Sequence, residues 1–132
     1  MGQGYNLIKP RSKGVRMAKK LTVMGMIIDR SGVMKDYWKT AKLYESYLKE
    51  KHSPRSNPKK LEKIKEALKD TVGSAYESLS RLTKVYVKAA EEVSKELPQE
   101  TTLNETNSYI AEMKRRTGEM LSIKNEINGE TQ

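Results

Sequence analysis

One apolar stripe constrains this chain more than any other feature. Leu61, Ile64, Leu68, Val72, Ala75, Leu79, Leu82, Tyr86, Ala89, Val93 and Leu97 follow one another in steps of three or four. Ten successive intervals keep this helical period, so the residues share one face of a helix. Asn57-Pro58 opens the segment. Asn caps free N–H groups, and Pro at the first helical position gives up no hydrogen bond. Pro98 closes it. A straight helix over 58–97 would be about 60 Å long at 1.5 Å per residue. Asp70-Thr71-Val72-Gly73 could end a helix, and Ser74-Ala75-Tyr76-Glu77 matches a capping box. The stripe passes this point in phase, so the periodicity leaves kink, turn and continuous helix open.

A helix that long needs partners for its apolar face, and the flanking sequence supplies them. Val33, Tyr37, Ala41, Tyr44 and Leu48 are spaced for a helix over about 32–51, with Trp38 alongside. His52, Ser53, Pro54, Arg55 and Ser56 read as a loop. Thr102-Leu103-Asn104-Glu105 matches a capping box after a Pro-containing loop. Beyond it Ile110, Met113, Met120, Leu121 and Ile127 line a face, with Thr117 in the gap and Asn128-Gly129 as the stop. Residues 15–29 are ambiguous between a short helix, a strand and an arm that orders on binding. Residues 1–14 carry Gly2, Gly4, Pro10 and Gly14 and show no helical period. The expected fold is all-α: three to four antiparallel helices in a bundle, four favoured, behind a flexible basic arm. The expected division is arm 1–30 and bundle 31–132.

Charge sharpens that division. The 132 residues carry a net charge of +9. Residues 1–60 hold 15 basic and 4 acidic side chains, a net +11, and residues 61–132 hold 11 and 13, a net −2. Lys9, Arg11, Lys13, Arg16, Lys19 and Lys20 all precede the first acid, Asp29. A one-signed block at a chain end suits a polyanion.

The inventory for catalysis is poor. There is no cysteine and one histidine, His52, in a charged loop. This excludes a disulfide scaffold, a thiolate metal site and a thiol nucleophile. The glycines form no phosphate or dinucleotide loop. Glu91, Glu92 and Glu96 read as surface partners of Lys88 and Lys95. The expectation is no enzyme, no cofactor, no metal and no small-molecule substrate. Met1-Gly2 fits a myristoylation signal only until Asn6 stands where Ser or Thr is required. A basic amphipathic arm on anionic lipid remains an alternative. The aromatics lie mostly at core positions. Tyr37-Trp38 between Lys35 and Lys39 comes closest to a base-stacking surface. Duplex binding through phosphates fits best.

The layout resembles the major coat proteins of filamentous archaeal viruses, the lipothrixviruses, with the rod-shaped rudiviruses as relatives. The resemblance rests on Lys9-Pro10-Arg11-Ser12-Lys13 and Met17-Ala18-Lys19-Lys20 in the arm. It also rests on Val33-Met34-Lys35-Asp36-Tyr37-Trp38-Lys39 and on the helices after Asn57-Pro58. It implies a virion protein, present in host cytoplasm during assembly, that polymerises around linear double-stranded DNA held in A-form. It implies a homologous coat subunit as heterodimer partner, or the chain itself, and in some members an envelope lipid outside the bundle. By position, Lys9, Arg11, Lys13, Arg16, Lys19 and Lys20 would lie against phosphates, with Arg30, Lys35, Lys39 and Lys42 as further contacts. The neutral half would make subunit contacts. A cellular nucleoid-type DNA-binding protein and a membrane-associated helical module are the competing functions. Deleting 1–30 is expected to abolish DNA binding and leave the bundle intact.

Overall fold

Four helices account for most of the described residues: α1 (Gly2–Asp29), α2 (Gly32–Lys51), α3 (Pro58–Glu96) and α4 (Asn104–Asn128). The computed structural model describes the backbone of residues 2–97 and 103–129 and the side chains of 14–97 and 103–129. There is no strand among the described residues. The protein is an all-α bundle.

α3 is continuous through Gly73, so the Ser-x-x-Glu match at Ser74 caps nothing. The apolar stripe explains why. Leu68, Val72, Ala75 and Leu79 are all buried on one face, and a break at Gly73 would expose half of them. Burying each large apolar side chain contributes about 1.5–3 kcal/mol. That outweighs the roughly 1 kcal/mol helical cost of one Gly. The start of α3 is as the sequence predicts. The Asn57 side chain accepts from the backbone N–H groups of Lys59 (3.0 Å) and Lys60 (3.4 Å). α4 begins differently. Leu103 precedes its first helical residue and offers no side-chain cap. Thr102, the expected cap, lies outside the described residues. Its end is as expected: Gly129 takes the left-handed conformation, φ 72°, and donates to the Glu126 carbonyl.

The four helices occupy three rods. Met34 meets Arg116, Tyr37 meets Glu119 and Tyr44 meets Glu126, always 82 residues apart. A constant offset means that α2 and α4 run parallel. α1 lies further back along α4, with Gly25 against Tyr109 and Asp29 against Arg116. α1 and α2 therefore follow one another along α4, joined through Arg30 and Ser31. α3 runs antiparallel to both. Its Tyr86 hydroxyl donates to the Leu21 carbonyl (2.7 Å), and its first turn meets the end of α2 through Lys60 and Glu50.

The core runs the length of these rods. Leu21, Ile28, Met34 and Tyr37 meet Leu68, Leu79, Tyr86, Met113 and Met120 in one buried cluster. Residues 15–29 are helical, which settles the ambiguity left by their composition. The helix also includes residues 2–14, where Gly and Pro hide any period. The boundary expected at residue 30 is the α1–α2 turn. Leu21, only 2% exposed, and Ile28 on its N-terminal side belong to the shared core. Deleting 1–30 would thus cut into that core.

Four positions depart from the predicted faces. Leu121 is exposed, and Ile123 takes the core position instead. Thr40 and Thr106 are buried. Thr40 is tolerated there because its hydroxyl donates to the Asp36 carbonyl one turn back (2.8 Å). Thr83 and Thr117 use the same device, and their hydroxyls meet at 3.3 Å between α3 and α4.

Candidate nucleic-acid interface

The cations singled out by the sequence sort by rod. Arg16, Lys19 and Lys20 are exposed on α1, Arg30 at the turn, and Lys35, Lys39 and Lys42 on α2. On α1 the spacing 16, 19, 20 keeps them on one side, and on α2 the spacing 35, 39, 42 does the same. The buried residues of both helices face α3 and α4, so both cationic faces lie opposite the buried ones, with Lys19 and Lys39 at the edges nearest α4 and α3. Lys9, Arg11 and Lys13 fall within the α1 backbone, but their side chains lie outside the described residues. The seven described cations span residues 16–42, roughly 40 Å of helical rise. That is one positive charge about every 6 Å along the rod.

These seven stand where acids are few: residues 16–42 hold only Asp29 and Asp36. Among the described residues none of the seven has a carboxylate within 4.0 Å; Lys49, Lys60, Lys69, Lys95, Arg115 and Arg116 do, and others such as Lys63, Arg81 and Lys114 do not. Residues 61–132 differ in their balance, 11 basic against 13 acidic side chains. Asp36 is the nearest exception on the basic rod. It joins Lys39 and Asp70, Thr71 and Ser74 of α3 around a small open groove.

The joint between α1 and α2 is held by a residue that the sequence reading missed. Arg116 of α4 donates to Asp29 at the end of α1 (2.9 Å) and lies 3.3 Å from Glu112. The same guanidinium lies 3.3 Å from the Met34 sulfur at the start of α2. Its plane sits over the rings of Tyr37 (5.3 Å) and Trp38 (5.2 Å). Arg is suited to this because a planar cation can stack and pair at once. Its Nε is buried with no hydrogen-bond partner among the described residues. Apart from Glu112 one turn back, the partners of Arg116 come from two other helices, so the local sequence does not mark its role at the joint.

This cluster also decides the aromatic surface. Tyr37 is 3% exposed and cannot stack on a base. Trp38 is 51% exposed, but its ring meets the edge of Tyr37 and the Arg116 guanidinium. Burial and then the Glu119 carboxylate push the Tyr37 hydroxyl up from its ordinary range. One heptad on, burial and then the hydrogen bond to Glu126 push Tyr44 up to about 12. Glu112 is held below the usual carboxylate range, first by its hydrogen bond from Arg115. Arg115 also pairs with Glu119.

Other chemistry is sparse among the described residues. No three His, Cys, Asp or Glu side chains gather as a metal site. His52 is exposed at the end of α2. An open groove of about 600 Å³ separates α1 from the start of α4. Ala18 and Thr22 line one side, Leu103 and Thr106 the other, with Lys19 and Glu105 at the rim. No described helix is long and apolar enough to cross a membrane. Comparison with protein-family models, with curated proteins and with solved structures finds no match to this chain.

Proposed function

We propose that this protein coats linear double-stranded DNA without reading its sequence, and polymerises along it as the structural protein of a filamentous virion. The observation that carries this reading is the row of seven exposed cations along the α1–α2 rod, with only Asp29 and Asp36 among them, backed by an α3–α4 hairpin whose charges nearly balance. Such a row matches phosphates, which position a protein without specifying sequence. Its partners are duplex DNA and further coat subunits, either this chain or a homologue. Envelope lipid is a further partner by resemblance. The site of action is the virion, and the host cytoplasm during assembly.

Binding through phosphates fixes the salt dependence. Seven contacts give a slope of log K against log salt of about −6, at roughly −0.9 per contact. Replacing Arg16, Lys19 and Lys20 with Gln makes the slope shallower by about 3. The weakening is the same for unrelated sequences. An unchanged slope removes α1 from the interface. Electron microscopy of the full chain mixed with linear duplex tests polymerisation. Regular filaments support a coat. Irregular condensates favour a nucleoid-type protein, and flotation with anionic vesicles in place of DNA binding favours the membrane reading.

A further inference from the structure

The cationic face of α1 carries a second pattern. Positions 16, 19, 23, 26 and 30 follow the three–four spacing of a helix-pairing seam, flanked by 20 and 27, yet they lie opposite the buried face of α1. The ends of this seam are the cations already described. Its middle is apolar: Val23 is 52% exposed, Met26 42% and Ile27 64%. Met24 is also exposed beside them. Of the other large apolar side chains exposed on the described chain, Val15 stands two turns back on α1, and Trp38, Val85 and Leu121 stand on separate helices. A clustered apolar patch on one helix marks a contact surface, whereas scattered residues do not.

We infer that this patch is where a second copy of the chain docks, and that the docking is gated by the polyanion. This rests on the DNA-coating reading. Two features point to a copy and to gating. The first is area. Three or four partly exposed side chains fall well short of the ~800 Å² per partner of a stable interface. The contact is therefore too small to hold two free molecules together. It can act between molecules already gathered side by side, and the neighbours gathered on a DNA are copies. The second is charge. A two-fold contact is self-complementary. An antiparallel pairing that superposes the two apolar triads brings Lys20 of one copy level with Arg30 of the other. Like charges so placed repel in free solution, and phosphates lying between them reverse the sign. The same row of cations thus blocks pairing without DNA and promotes it with DNA. The first subunit contact then lies on the basic rod, ahead of any contact through the neutral half.

The test compares the full-length wild type with a variant carrying Val23→Gln, Met26→Gln and Ile27→Gln. All three sites are exposed, so the helical circular dichroism and melting of the variant should match wild type. Binding is measured on a short duplex that holds one copy and on a long linear duplex. The short-duplex affinity is expected to change less than about threefold, while the cooperative gain on the long duplex falls about tenfold or more. Cooperative binding that survives the substitutions overturns the patch and leaves the DNA reading standing. Wild type that binds neither duplex overturns both. Sedimentation of the free wild type is expected to give a monomer, and a stable dimer without DNA overturns the gating.

Discussion

Gly25 and Gly73 show how one residue type serves opposite ends in neighbouring helices. A Cβ at Gly25 would lie 2.5 Å from the Tyr109 ring, so the α1–α4 approach depends on its absence. At Gly73 and Gly118 a Cβ would meet nothing within 4 Å. Gly25→Ala is therefore expected to destabilise by about 1–3 kcal/mol through overpacking. Gly73→Ala and Gly118→Ala should each stabilise by about 0.5–1 kcal/mol, because Ala loses less backbone freedom in a helix. Urea denaturation of the three variants checks all of this, and a stabilised Gly25→Ala would contradict the packing. The Asn57 cap was legible because its partners are its own neighbours in the chain. The roles of Gly25 and Arg116 were not, because Tyr109 and Asp29 reach them only through tertiary folding.

At the scale of elements, α2 and α4 are registered by two Tyr–Glu hydrogen bonds one heptad apart. Tyr37 donates to Glu119 (2.7 Å) and Tyr44 to Glu126 (2.9 Å). Both hydroxyls hold their protons more tightly in the folded chain, through burial first and the carboxylate second. Each contributes stability that is fully present below the ordinary tyrosine pKa of 10.0. It is lost as pH rises from there toward the folded value, about 12 for Tyr44. The reason is that the unfolded chain releases its protons first. Denaturation midpoints should thus decline in that alkaline window. The double variant Tyr37→Phe, Tyr44→Phe should show a smaller decline, with part of it remaining because burial also raises Tyr86. The same pair explains why the α2 face was legible only in part. Spacing identified Tyr37 and Tyr44 as facing inward, but the buried face also takes Met34, Thr40 and Tyr47. Thr40 breaks the apolar pattern, and its carbonyl partner one turn back is invisible to a hydropathy count.

For the whole molecule, the cations of the α1–α2 rod should make the free protein sensitive to salt in the direction opposite to that expected of the proposed DNA binding. Seven like charges on one rod repel, and screening at a Debye length of about 10 Å in 0.1 M salt relieves this. The melting temperature of the free protein is expected to rise with added NaCl. At low salt, duplex DNA should raise it further, by mass action on the folded state. A melting temperature indifferent to both would mean that the row is not electrostatically coupled. The helical class was legible because a three–four period over eleven positions leaves little choice. The three-rod arrangement was not, since periodicity gives each helix a face and says nothing about whether the next helix folds back or continues.

That continuation has a geometric consequence. α1 and α2 meet at one joint, where the Ser31 hydroxyl donates to the Ile28 carbonyl (2.6 Å) and Arg116 holds both sides. A single straight rod touches a cylinder only along a line. Two helical segments joined at a turn can each lie against it, and copies that all hold the same turn trace a curve of one radius. The joint at Ser31, rather than the number of charges on either side of it, would then set how tightly an assembled coat could wrap.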